Sequence, residues 1–182
     1  ETRTVAFPDH SLEDHWNRPE ARRAISEGTW DYVVLQQGPS AMPESRRLLR
    51  AYTTRFAEAV TSAGARPALF MVWPASGRLN DFPRVIESYR VAADDVRAVV
   101  LPVGDAWRRM WDRDRSAGLY GADGFHPSGL GTYLAALVMF QQFTGRSVVG
   151  LPSPFSSFDP VIVRALQEVA MEACGAAALS PN

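Results

Sequence analysis

Four short apolar runs, each followed by a stretch of helical periodicity, constrain this chain more than any other feature. The runs are Thr4–Phe7, Asp31–Leu35, Ala68–Trp73 and Arg97–Leu101. Runs of this length, rich in β-branched and aromatic residues, suit strands buried on both faces of a parallel sheet. Parallel neighbours cannot be joined by a hairpin, so each pair needs a crossover, and the intervening segments supply helices. Ser11, with Asp14 at the third position after it, makes a capping-box start, and Gly28 closes that helix. Pro43 opens the next helix, whose apolar stripe is Leu48, Leu49, Tyr52, Phe56, Ala59 and Val60. Asp81 and Pro83 open a third, carrying Val85, Ile86, Tyr89 and Ala93. The expected fold is therefore α/β, a parallel sheet with helices on both faces.

At 182 residues the chain is long enough for one α/β domain with a sizeable core and too short for two ordinary ones, so residues 1–182 are expected to form a single domain. Its last part, residues 147–182, reads as an irregular segment followed by a helix that Asp159-Pro160 opens. A formal net charge of −1 gives no global attraction for nucleic acid or an anionic membrane. The arginines of the second helix, Arg46, Arg47, Arg50 and Arg55, read as a solvated face. No apolar run reaches the length of a membrane span. The single cysteine, Cys174, excludes an internal disulfide. The chain opens at Glu1, so the sequence says nothing about a leader peptide or export. Oligomeric state is likewise not legible.

In open parallel sheets, ligands bind beyond the carboxyl ends of the strands. Pro8-Asp9-His10, Gln36 to Ser40, Trp73-Pro74 and Gly104-Asp105 fall at such ends. The stretch Asp123-Gly-Phe-His126-Pro-Ser-Gly-Leu-Gly131 can reach the same rim. It is followed by Leu130, Tyr133, Leu134, Leu137 and Val138 at helical spacing, with Ser128 placed to cap the helix and Gly145 to stop it. A carboxylate three residues before an imidazole, in a turn bounded by glycine, can accept the proton on Nδ1 and leave Nε2 facing outward. That is the orienting half of a Ser-His-Asp device, with Asp123 as orienter and His126 as base.

There is no G-x-S-x-G elbow and no glycine-rich phosphate loop. Ser40 fits a nucleophile or a donor, and fits an ordinary turn residue as well. Gln36 and Gln37 could offer amide N–H groups to a developing negative charge, or could seal the end of a strand. Trp73 fits a pocket wall and fits core packing. Asp123, His126 and Asp105, with His10 or His15, could in principle gather around a metal, but their spacing follows no ligand pattern.

The Asp123-Gly-Phe-His126-Pro-Ser string resembles the last block of the SGNH (GDSL-type) hydrolases. Asp31 to Ser40 is similar to the strand and turn of their third block, and Val5 to Trp16 to the region around their second. The resemblance implies a flavodoxin-like three-layer α/β/α fold and cofactor-free hydrolysis of esters, often acyl groups on carbohydrates or lipids. It implies that Asp123 orients His126 and that His126 is the general base. The family's nucleophile sits in a Gly-Asp-Ser or Gly-Asn-Ser turn after the first strand, and no such string occurs here. The oxyanion glycine of the second block is matched by Pro8-Asp9, where proline has no N–H to give. The asparagine of the third block falls on Ser40. The resemblance thus places a first strand and helix, about 30 residues by the usual size of such a unit, with the nucleophile, upstream of Glu1. Two functional classes remain open: a serine esterase, and a non-catalytic relative that binds carbohydrate or acyl groups.

Overall fold

The computed structural model of the chain describes residues 1–153 and 155–178. Pro154, inside the expected irregular segment, and the last four residues of the expected domain lie outside the described residues. The elements in chain order are α1 (Leu12–Asn17), α2 (Pro19–Glu27), β1 (Tyr32–Leu35), α3 (Pro43–Ser62), β2 (Arg66–Phe70), a 3-10 turn (Ser76–Asp81), α4 (Phe82–Asp94), β3 (Val99–Leu101), α5 (Val103–Arg113), α6 (Gly129–Thr144) and α7 (Pro160–Ala178). The strands form one sheet in the order β1-β2-β3, and β1 and β2 are parallel with Tyr32 opposite Arg66 and Leu35 opposite Leu69.

The chain divides into two compact units. The first holds Glu1–Val72 and Arg84–Val100, and the second holds Trp73–Pro83 and the chain from Leu101. In the first, Leu49, Phe56 and Val60 of α3 pack with Leu69 of β2 and with Val85 and Tyr89 of α4. All six are essentially inaccessible to solvent. In the second, α5, α6 and α7 pack pairwise, burying Trp107, Met110, Leu134, Val138 and Leu166.

Several local expectations hold at the level of single bonds. Ser11 and Asp14 form the reciprocal capping box of α1. Ser128 caps α6 by accepting from Gly131 N, and Gly145 ends that helix with φ 67°, a conformation that glycine adopts without a Cβ clash. The arginines of α3 are paired on the surface: Arg46 with Glu87, Arg47 with Glu44 and Arg50 with Asp95, while Arg55 lies over the Tyr52 ring.

Four expectations change. Thr4–Phe7 forms no strand, because a strand exists only through its neighbours and this segment pairs with none among the described residues. Phe7 is instead taken up locally, its ring against His10 and His15 and under the Arg18 guanidinium. The helix expected between Ser11 and Gly28 is two helices. Arg18 is driven to φ −101°, ψ 151° by the ring of Pro19 that follows it, so α1 must end and α2 restart. The run Ala68–Trp73 starts earlier, at Arg66, and leaves the ladder at Phe70. Its ladder with β1 pairs Arg66 to Leu69 with Tyr32 to Leu35. Arg97 stands at φ 55°, outside the β region, which delays β3 to Val99.

Candidate active site

The Asp123–His126 turn is built almost entirely from its own residues. One oxygen of the Asp123 carboxylate accepts the backbone N–H groups of Phe125 and His126, both at 2.9 Å. The other lies 2.5 Å from His126 Nδ1. A single carboxylate therefore shapes the turn and holds the imidazole at the same time. These contacts keep the Asp123 carboxyl well below the usual carboxylate range, at about 2, with the imidazole contact the larger cause and the two backbone N–H groups next. With the carboxylate ionised, the proton belongs on Nδ1 and the lone pair on Nε2. The His126 side chain is 75% exposed.

Neighbouring segments of the same unit fix this turn in place. Gly121 N donates to His126 O at 2.8 Å and Gly124 N to Gly121 O at 3.0 Å, while Tyr120 and Pro127 form an antiparallel bridge. Ser128 N donates to Leu119 O, and the Ser128 hydroxyl donates to Gly118 O. Gly131 permits the closest approach: a Cβ there would stand 2.3 Å from Leu119 O and 2.6 Å from the Trp107 ring. The segment after β2 then straps the turn from outside. Trp73 Nε1 donates to Phe125 O at 3.0 Å, Ser76 N donates to Gly124 O at 2.8 Å, and the Tyr120 hydroxyl donates to Pro74 O at 2.7 Å. Trp73 stacks on Trp107 with ring centroids 3.7 Å apart and planes 4° from parallel, and Tyr120 meets Trp107 edge-on. Gly124, at φ 67°, presses so closely on Ser76 that a Cβ would lie 2.4 Å from its Oγ.

Of the residues singled out in the sequence, Asp123 and His126 meet directly, and Trp73 touches their turn through its indole N–H. Trp73 is 9% exposed and serves as a support behind the turn. Gln37 and Ser40 belong to the first unit and are tied into it. Gln37 Oε1 accepts from Leu12 N, and its Nε2 donates to Ser40 Oγ and Ser45 O. Ser40 Oγ donates to Gly38 O at 2.9 Å, and its φ of 55° puts it in the left-handed region. Tyr89 OH donates to Gln37 O and Gly38 O, and Ser88 Oγ to Ser40 O, so this loop is held from several sides. Burial pushes the Tyr89 phenol far above its ordinary range, which keeps it a donor.

Sequence reasoning did not find Trp107, Tyr120 or Ser76. No local pattern links them to the turn, and only the pair of glycines at 129 and 131 hints that α6 is approached closely. Among the described residues, no group of three or more His, Cys, Asp or Glu is placed to hold a metal ion, and no helix is long and apolar enough to cross a membrane. A shallow cleft of about 680 Å³ on the first unit, lined by Arg46, Arg47, Arg50, Arg84 and Asp95, shares no residue with the Asp123–His126 turn.

Two solved structures resemble this chain. A DUF4886 family protein from Bacteroides uniformis matches 84% of it with a TM-score of 0.72 at 20% identity, and this chain spans 65% of that protein's length. A protein described as a "putative SGNH hydrolase", from Slackia heliotrinireducens, matches 74% of this chain and 80% of its own, with a TM-score of 0.63 at 28% identity. The fold is that of the SGNH hydrolase superfamily. It is a flavodoxin-like α/β arrangement with a parallel sheet, as the strand and helix alternation implies. No family model matches the chain, and no curated protein does.

Proposed function

We propose that this protein is a serine ester hydrolase acting on acyl groups carried by carbohydrates or lipids. The observation that carries the reading is the Asp123–His126 pair, with Nδ1 on an ionised carboxylate and the ring exposed. The SGNH-type fold supports it.

In this reading Nε2 of His126 takes the proton from a serine hydroxyl as its Oγ attacks the ester carbonyl carbon. The imidazolium formed is stabilised by Asp123 and returns the proton to the departing alcohol, leaving an acyl-serine. Water then attacks that ester with the same base, releasing the acid and restoring the hydroxyl. No cofactor is needed for either half.

A fluorophosphonate probe tests the reading on the full-length protein. A single serine should be modified, and labelling should fall by about 10⁴-fold in Asp123→Asn and at least as far in His126→Ala, because such groups act as a unit. Mapping the modified peptide identifies the nucleophile. Absence of labelling, with the fold intact, would refute the hydrolase and favour a binding role for the same surface.

A further inference from the structure

Phe125 sits beside the candidate base in a way its chemistry does not explain. The residue is 46% exposed, and its ring meets the His126 imidazole edge-on with centroids 5.3 Å apart. Its backbone is fixed on both sides, the N–H to Asp123 Oδ1 and the carbonyl to Trp73 Nε1. The backbone of Phe125 is thus fixed, and its exposed ring lies edge-on beside the candidate base. A second aromatic group stands on the other side of His126 in the chain. Phe158 packs on the first turn of α6, 3.3 Å from where a Cβ of Gly129 would lie, and Phe155, also exposed, packs on Phe158 with ring centroids 4.9 Å apart. Gly129 is at most about 11 Å from His126 along the chain, a span that an acyl chain of medium length covers.

Four polar side chains around the turn donate within the fold. The Tyr120 hydroxyl donates to Pro74 O, Ser128 Oγ to Gly118 O, Thr132 Oγ1 to Ser128 O and Trp73 Nε1 to Phe125 O. A sugar ring needs convergent donors and acceptors for its hydroxyls, and these neighbours have given their protons elsewhere. Phenylalanine has none to add.

We propose that Phe125 is the substrate-contacting wall of an acyl subsite, and that the preferred substrates are esters of medium-chain apolar acids rather than acetylated sugars. This rests on the esterase reading above. Each methylene removed from water changes the rate constant by about fourfold, and a phenyl ring covers about two of them. Phe125→Ala should therefore lower the ratio of kcat/KM for p-nitrophenyl octanoate over p-nitrophenyl acetate by about fifteenfold. Phe125→Leu should restore most of it. The backbone bonds that shape the turn do not involve this side chain, so both variants should fold. A ratio within twofold of wild type in Phe125→Ala overturns the proposal, as does a wild-type preference for acetylated oligosaccharide over octanoate ester. If the wild type hydrolyses neither ester, the esterase reading fails, and binding decides the subsite separately. Titration with octanoate should then shift the Phe125 and His126 ring resonances of the wild type and leave the His126 ring of Phe125→Ala unmoved. No shift in the wild type overturns it.

Discussion

Replacing Trp73 by phenylalanine separates what this residue does for stability from what it does for the turn. Trp73 contributes a neutral N–H···O=C bond of 3.0 Å to Phe125 and one face of a stacked pair. Loss of the bond costs about 1 kcal/mol. Loss of the second ring from a site only 9% exposed adds about 1–2 kcal/mol, a fraction of a full Trp→Ala truncation. The expected loss is about 2–3 kcal/mol, read from urea denaturation by far-UV circular dichroism. Trp107→Phe is the matched control. It removes the same ring volume from the same stack, but Trp107 Nε1 is buried with no hydrogen-bond partner among the described residues, so no bond is lost. Trp73→Phe should therefore be the worse by about 2 kcal/mol or more, because it loses a bond while Trp107→Phe removes a buried donor that had no partner. Only Trp73→Phe frees the carbonyl next to His126. Its kcat on a simple ester should drop about tenfold with KM little changed, since a small error in aim acts on the transition state. The downfield Nδ1–H resonance of His126 should also exchange faster in that variant alone. Equal losses of kcat and equal exchange in the two variants would refute the strap, leaving Trp73 as packing.

Other expectations follow from single contacts. Gly131→Ala places a methyl against Leu119 O and the Trp107 ring; overpacking of about 3 kcal/mol against a helix-propensity gain of about 1 kcal/mol leaves a net loss of about 2 kcal/mol in a denaturant melt. The Asp123 carboxyl carbon should titrate in NMR with a midpoint of about 2, against about 3.9 for an unfolded aspartate. Because the folded value is depressed, its contribution to stability is complete above about pH 4 and disappears as the pH falls through about 2. Asp123→Asn should remove that part of the acid dependence.

The tests bear on residues that differ in how far the sequence alone could place them. The Asp-His pairing was legible because the bonds of its own carboxylate span two or three residues: Asp123 to Phe125 N, to His126 N and to His126 Nδ1. The caps and stops of the helices were legible for the same reason, as with Ser11, Ser128 and Gly145. Short-range geometry follows from residue type and spacing, and no distant partner is needed to enforce it. The alternation of apolar runs with helical periods likewise carried the α/β class, since parallel strands demand crossovers.

What the sequence could not supply were the properties that depend on a partner far along the chain. Thr4–Phe7 has strand-forming residues but no ladder among the described residues, and the ladder of β2 with β1 ends at Leu69, opposite Leu35. Gln37 and Ser40 carry groups that could serve chemistry, yet their bonds go to Leu12, Ser45 and Gly38, and Tyr89, 52 positions away, closes over the loop. Trp73 and Phe125 are also 52 positions apart, and Tyr120 and Pro74 are 46. A hydrogen bond between such residues is encoded in neither segment. It forms because burial leaves each donor only the acceptor that packing brings to it, and tertiary packing alone makes that choice.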